Sequence, residues 1–176
     1  MYELLGSQVE PVVADFMDVD LTSLGQFDIV IYAGVLYHMK GPLRALQRVA
    51  SVTRELAVVE TEAIRVANYG GHALWEFFGS SELGADISNW WAPTEAGLVG
   101  ACRAAGFSSV RILTTAPAED GSGLTSEFPS EEFKPSPLHY RLIAYAIEQL
   151  RSSEYSPIDI NLNATHSPTT CSSLAA

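Results

Sequence analysis

The sequence predicts an α/β fold built on a parallel sheet. Two apolar runs, FDIVIYAG at 27–34 and ELAVVETEAI at 55–64, have strand composition and flank a stretch with helical periodicity. Strands that alternate with helices form βαβ units, whose strands are parallel. The chain has 176 residues, of which 47% are hydrophobic, so it is long enough for one domain with a buried core.

Three further segments are candidate strands. EPVVAD at 10–15 and SSVRILTT at 108–115 are short, and LHYRLIAYAIEQL at 138–150 fits helix or strand by pattern alone. FDIVIYAG is apolar on both faces, which is typical of a central parallel strand.

The helices are predicted from their ends. Gly41 is an acceptable N-cap and Pro42 suits the first helical position, before an apolar stripe that ends near Thr53. Thr94 is the expected N-cap of a second helix, which stops at Gly106. We interpret 65–91 as a partly helical insertion or lid, and 116–137 as a long loop. The domain then covers 1–150, and 151–176 is expected to be a disordered tail because it is rich in Ser, Thr, Asn and Pro.

Charge and cysteine content limit the function classes. The net charge is −11, from 21 acidic and 10 basic residues, which disfavours a nucleic-acid partner. We expect a cytoplasmic protein with no membrane association, since no signal sequence or spanning apolar run is visible. The two cysteines, Cys102 and Cys171, indicate neither a disulfide framework nor a metal site, and Cys102 is expected in the core.

Polar residues follow three of the predicted strands. Asp15 ends the first, Gly34 to His38 follow the second, and Glu60 and Glu62 end the third. Ligands of open parallel sheets bind outside the carboxyl ends of the strands. We therefore expect these residues to open onto one crevice.

Several segments of the sequence resemble a known family. The segments VVADFMDVD, GQFDIVIYAGVLYHMKGP and ELAVVETE, followed by NWWAPTEAGLVGACRAAGFSSVRIL, are similar to class I S-adenosylmethionine-dependent methyltransferases. The GVLYH signature is nearest to the group that includes tRNA wobble-uridine methyltransferases. The resemblance runs from Leu4 to Ala146.

The resemblance implies a partial Rossmann-like methyltransferase sheet. The family order is 3-2-1-4-5-7-6, with strand seven antiparallel. On this template 10–15, 27–34, 55–62, 108–115 and 139–147 match strands three, four, five, six and seven. Strands one and two, with the glycine-rich cofactor loop, have no counterpart in this sequence. The resemblance therefore implies an N-terminally truncated chain: a shortened gene product, a misplaced start codon or one part of a split protein.

The resemblance also implies cofactor-binding residues. Asp15 and Phe16 match the position that contacts the adenine, although an acidic residue that closes a strand is the alternative. Gly34 lets the backbone approach the cofactor, or merely ends the strand. Val35 and Leu36 form the apolar surface beneath it. Without the glycine-rich loop, S-adenosylmethionine is expected to bind weakly or not at all.

Tyr37 and His38 are the candidate catalytic residues. Tyr37 can hydrogen-bond to cofactor or substrate. His38 can accept a proton from the attacking group, because its ordinary pKa lies near neutrality. The alternative is that His38 only ties backbone groups together at the junction.

The predicted function is methyl transfer from S-adenosylmethionine to a small-molecule acceptor, impaired by the missing loop. Whether the chain is an active enzyme stays open, because the alternative is a non-catalytic remnant or interaction subunit. Such a subunit needs a second copy or a partner chain to complete the sheet. For Glu60 and Glu62 the alternatives are binding of a substrate amine, action as a base, or a role as solvated residues that end the strand. For Trp90 and Trp91 the alternatives are stacking on a flat substrate or packing in the core under the following helix.

Overall fold

The computed structural model describes residues 8–67, 71–114 and 138–147. The strands and helices are β1 (Phe27–Ala33), α1 (Pro42–Val52), β2 (Thr53–Arg65), β3 (Trp75–Phe77), β4 (Trp91–Pro93), α2 (Glu95–Ala105), β5 (Ser109–Ile112) and β6 (Leu138–Ile147). Two 3₁₀ turns, Leu21–Leu24 and Leu36–His38, flank β1. The predicted α/β class is confirmed.

The main sheet has four strands in the order β1-β2-β6-β5. β1 and β2 are parallel, whereas β6 runs antiparallel to both β2 and β5. These strands correspond to four, five, seven and six of the predicted order. The segment that was ambiguous by pattern is therefore a strand over Leu138–Ile147.

The strand predicted at 10–15 is wrong. These residues have no strand pairing; Val12 is 61% exposed and Val13 is 100% exposed. A strand exists only where its N–H and C=O groups have a ladder to join, and β1 pairs with β2 alone among the described residues. For the same reason β1 is an edge strand among the described residues, whereas its composition predicts a central strand.

The helical content predicted for 65–91 is also wrong. The described residues of this segment contain no helix; instead Trp75–Phe77 pairs antiparallel with Trp91–Pro93. Aromatic residues pack well on a pleated surface, and Phe77 lies directly opposite Trp91. The aromatic residues of this segment therefore stabilise a pair of short strands where a helix was expected.

Both predicted helix starts and stops are confirmed. Pro42 opens α1 after Gly41, and the helix ends before Thr53. Thr94 caps α2, because its Oγ1 accepts the N–H of Gly97 at 3.1 Å. Gly106 follows α2 with φ of +121°, a conformation that favours glycine.

The core lies between α1, α2 and one face of the sheet. Leu46 and Val49 of α1 and Leu98 and Cys102 of α2 form one buried cluster with alternate residues of the strands, namely Tyr32, Ala57, Val59, Ala63, Leu142, Ala144 and Ala146. Burial of Cys102 in the core is confirmed, and burial raises the pKa of its thiol to about 12.

The opposite face of the sheet carries the remaining alternate residues. Ile29 lies beside Leu56, and Ile31 beside Val58, whose other neighbour is Tyr145. Ile29 and Ile31 are exposed, at 61% and 74%. We call these five residues the open face.

Two predictions fall on other parts of the chain. The loop at 116–137 and the tail at 151–176 lie outside the described residues. Within the described residues, no helix has the length and apolar character needed to cross a membrane.

Candidate functional site

A sharp corner follows β1 at Gly34. Its φ is +70°, and its N–H donates to the carbonyl oxygen of Glu60 on β2 at 3.1 Å. A Cβ placed on Gly34 would lie 3.8 Å from Glu60 Oε2 and 3.9 Å from the hydroxyl of Tyr37. Positive φ is inexpensive only for glycine, so the corner depends on this residue type. The backbone thus turns away from the sheet directly beside two polar side chains.

Arg141 of β6 joins this corner. Its Nε lies 2.6 Å from Glu60 Oε1, its Nη1 lies 3.3 Å from Glu62 Oε2, and its guanidinium lies 5.0 Å from the ring centre of Tyr37. Burial alone would lower the pKa of Arg141, but the hydrogen bond to Tyr37 and the two carboxylates together raise it. The guanidinium is therefore charged and neutralises part of the acidic corner.

Glu60 and Glu62 are buried to the same extent, with side chains 17% and 16% exposed, and the Glu62 carboxylate also lies near His139. Burial raises the pKa of Glu62, against the opposing effects of Arg141 and His139. His139 Nε2 lies 3.1 Å from Glu76 Oε2, so β3 also faces this cluster. Both carboxylates are thus paired with cations or a histidine, and neither is a simple solvated cap.

His38 ends the 3₁₀ turn that follows the corner. Its Nδ1 lies 3.1 Å from the carbonyl oxygen of Ser88 and 3.0 Å from Ser88 Oγ. Ser88 Oγ in turn lies 2.7 Å from Asp86 Oδ1. The rings of His38 and Tyr37 are 4.2 Å apart. The imidazole is therefore held on one side by a loop that is distant in sequence.

Asp15 and Phe16 lie in a turn ahead of β1. Asp15 Oδ1 accepts the N–H of Met17 at 2.7 Å, and the residue is exposed. The Phe16 ring lies 5.4 Å from that of Tyr32, with the Arg48 guanidinium 5.6 Å from it. Phe16 is thereby fixed to the side of β1 that faces the core, and Asp15 presents its carboxylate to solvent.

Val35 and Leu36 support the corner. Leu36 is fully buried and Val35 packs against the same core. Their apolar side chains therefore hold the turn that carries Tyr37 and His38.

The two tryptophans contact the exposed ring of Phe77. Trp91 lies 5.0 Å and Trp90 6.4 Å from it, and Lys40 Nζ lies 5.0 Å from the ring centre of Trp90. The backbone N–H of Trp90 donates to the carbonyl oxygen of Tyr37 at 2.8 Å. Both tryptophans are half-buried, so they pack beside the 3₁₀ turn and keep part of their surface open.

The structure brings Gly34, Tyr37 and Glu60 together, as the sequence predicted. It keeps the hydrogen bonds of Asp15 local, to residues 17–19. Sequence reasoning missed Arg141, Ser88 and Asp86. Arg141 was detectable as a charged residue inside an apolar strand, whereas nothing in the pattern around Ser88 pointed to His38. Among the described residues no group of His, Cys, Asp or Glu has the arrangement of a metal site.

Comparison with known proteins gives likenesses to solved structures only. No protein-family model and no curated protein matches the chain. The N-terminal domain of EvdMO1 with SAH bound is similar over 84% of this chain and 58% of that one, with 20% identity and a TM-score of 0.56. The same domain in the presence of SAH and D-fucose gives 22% identity and a TM-score of 0.54 over 84% and 59% of the two chains. A structure of EvdMO1 gives 22% identity and a TM-score of 0.51, with 84% of this chain and 27% of that chain covered.

These likenesses show the fold. The described sheet and helices share the architecture of a domain that was solved with SAH, S-adenosylhomocysteine. This chain spans 58% and 59% of the two domain structures and 27% of the longer chain. The α/β architecture is accordingly that of the N-terminal domain of EvdMO1.

Proposed function

We propose that this chain transfers the methyl group of S-adenosylmethionine to a hydroxyl group of a small-molecule acceptor. The observation that carries the proposal is the glycine corner at the carboxyl end of β1, within a fold shared with an SAH-bound domain. In open α/β sheets this edge is where ligands bind. D-fucose is named with one of the similar structures, so a sugar hydroxyl is the acceptor class that we propose.

The residues proposed to hold the cofactor fit that role. Gly34 turns the backbone with φ of +70° at the end of β1, and it keeps part of its surface exposed beside Glu60 and Tyr37. Asp15 is exposed, and we assign its Oδ2 to accept from the amino group of the adenine. Phe16 is held by Tyr32 and Arg48 and can pack against a flat ring. Val35 and Leu36 support this surface from the core.

Cofactor affinity is proposed to be low. No glycine-rich loop follows any predicted strand of this sequence, so the described residues offer contacts to the adenine and the reacting end alone. The low affinity is inferred from the resemblance to class I methyltransferases, whose glycine-rich loop has no counterpart in this sequence.

The chemistry asks little of the protein beyond orientation. S-adenosylmethionine supplies an electrophilic methyl group when bound, and the acceptor oxygen must be held in line with it. His38 is proposed to take the proton of the acceptor hydroxyl as the new bond forms. Tyr37, whose hydroxyl lies at the corner, is proposed to orient the acceptor or the cofactor by a hydrogen bond.

Transfer RNA is not part of this proposal. The net charge of −11 opposes binding of a phosphate backbone. The resemblance to the GVLYH group therefore supports the donor and not the acceptor of those enzymes.

The activity is tested with labelled S-adenosylmethionine and D-fucose as the acceptor probe. His38→Gln is expected to lower the rate by roughly 100-fold, a usual contribution of a general base. His72→Gln is the matched control, because it makes the same substitution at another exposed histidine. Equal rates for wild type and His38→Gln would contradict the assignment of the base.

A second candidate function is that of an interaction subunit. The open face favours it, since Ile29 and Ile31 are exposed side by side on an edge strand. Exposed apolar edges tend to pair with another chain. In this case the partner would be a second copy or another protein that covers β1, and catalysis would need it.

A further inference from the structure

We propose that Ser88 and Asp86 are positioning residues that fix the tautomer and orientation of the His38 ring. The inference rests on the proposed function, because it concerns how His38 is prepared to act as a base. It is carried by three contacts: one requires a proton on Nδ1, and the other two are compatible with it.

The first contact is the bond between Nδ1 and the carbonyl oxygen of Ser88. A carbonyl oxygen only accepts, so the contact at 3.1 Å requires that Nδ1 carries the proton. In a neutral imidazole the other nitrogen, Nε2, then has the free lone pair. Within the residues that the structure describes, no hydrogen bond to Nε2 occupies that lone pair.

The second and third contacts agree with this direction. The Ser88 hydroxyl has one proton to donate. Its Oγ lies 2.7 Å from Asp86 Oδ1, which can only accept a hydrogen bond. The hydroxyl therefore donates to Asp86 and is left to accept from His38 Nδ1 at 3.0 Å. The hydrogen bonds from Ser88 also lower the pKa of Asp86, so this carboxylate is ionised.

The loop that carries these residues is fastened at both ends. Asn89 Nδ2 donates to the carbonyl oxygen of Leu83 at 2.7 Å, and Ser88 N–H donates to Asp86 Oδ1 at 2.8 Å. Beyond Ser88, the Trp90 N–H donates to the Tyr37 carbonyl oxygen. The relay is thus tied to the same turn that holds His38. Both the carbonyl oxygen and the hydroxyl oxygen of Ser88 lie near the same ring nitrogen, which indicates a specific contact with His38.

The charged and titratable groups near the ring are few. Asp86 contacts Ser88, the Tyr37 ring lies 4.2 Å from the imidazole in a tilted arrangement, Arg141 lies over the Tyr37 ring, and Lys40 lies over Trp90. Of these, Asp86 is the negative charge linked to Nδ1. We infer that it holds the Ser88 hydroxyl in the direction that leaves Oγ to accept from Nδ1, which keeps Nε2 free to accept a proton.

The test reads the tautomer directly by nitrogen NMR of histidine-labelled protein without cofactor. The His38 signals are assigned as those lost in His38→Gln. We expect the Nδ1–H tautomer in the wild type, and a larger fraction of the Nε2–H tautomer in Asp86→Asn. Asparagine keeps the Oδ1 acceptor for Ser88, so this variant removes the charge and leaves the loop contacts. An Nε2–H tautomer in the wild type, or an unchanged tautomer ratio in Asp86→Asn, would overturn the inference.

A double-mutant cycle shows whether Ser88 transmits the effect. In Ser88→Ala the carbonyl acceptor remains but the hydroxyl link is gone, so Asp86→Asn is expected to shift the His38 tautomer ratio less than it does in the wild type. Ser88→Thr, which keeps a hydroxyl, should restore the coupling. An equal shift with and without the hydroxyl would contradict a relay through Ser88. Because none of these signals needs S-adenosylmethionine, a failure to bind SAH would count against the proposed function alone.

Discussion

At the scale of single residues, Glu62 shows that burial of a carboxylate in the corner has a cost in stability. Its carboxylate is only 16% exposed and is paired with Arg141. Burial nevertheless raises its pKa, which means that ionisation is less favourable in the folded chain than in the unfolded one. A group of this kind stabilises the fold fully below its unfolded pKa, and that contribution is lost as pH rises through the folded value.

Glu62→Gln should remove this pH dependence. The variant cannot ionise at position 62, so its free energy of unfolding relative to wild type should increase as pH is raised from about 4 to about 7. Each unit of raised pKa corresponds to about 1.4 kcal/mol. Urea unfolding of both proteins across this range measures the difference. A difference that is flat, or that moves in favour of the wild type with rising pH, would contradict the assignment.

Several residue roles were accessible from sequence and others were not. Gly34, Thr94 and Gly106 were predicted because a turn or a helix end requires their chemistry locally. Arg141 and Ser88 were missed because their partners, Glu60 and His38, are far away in the chain and meet them only through tertiary packing.

At the scale of elements, α2 contains two glycines with opposite surroundings. A Cβ on Gly97 would lie 2.6 Å from the carbonyl oxygen of Leu74 and 3.0 Å from Trp75 Nε1. A Cβ on Gly100 would meet nothing within 4 Å. The first glycine therefore permits close packing of α2 against the segment before β3, and the second is only a weak helix former.

These surroundings predict opposite effects of the same substitution. Gly97→Ala should destabilise the protein by roughly 1–3 kcal/mol through overpacking. Gly100→Ala should stabilise it by roughly 0.5–1 kcal/mol, because alanine is the better helix former. Thermal and urea unfolding of the pair gives the comparison, with each glycine as the control for the other. Changes of the same sign would refute this packing of α2.

Element types were more predictable than strand neighbours. The apolar runs and helix caps predicted both helices and three strands of the sheet, because these signals are local in sequence. The fourth strand, β6, was ambiguous by pattern and was predicted only from the family resemblance. The strand at 10–15 failed because pairing decides whether an extended segment becomes a strand, and no described strand pairs with it. The β3–β4 pair was missed because three-residue strands carry too little periodicity.

At the scale of the whole molecule, the open face separates the two proposed functions. If it binds a second copy, the apparent mass should rise with protein concentration, because Ile29 and Ile31 would be buried between chains. Ile31→Lys, at a position that is 74% exposed, should suppress that rise without lowering stability. Light scattering after size exclusion gives the mass. A concentration-independent mass would oppose self-association and leave a different partner chain as the remaining form of that proposal.

The corner after β1 is proposed to be part of a site for S-adenosylmethionine, and a single binding measurement can decide this. Calorimetric titration of the 176-residue chain with SAH is suited to it, since SAH binds without turnover. We expect weak, saturable binding with a dissociation constant of roughly 0.1–1 mM. Binding should be lost in Gly34→Val and kept in Gly100→Ala. If the folded wild-type chain gives no binding at millimolar SAH, or if Gly34→Val binds equally well, the corner is not part of a cofactor site.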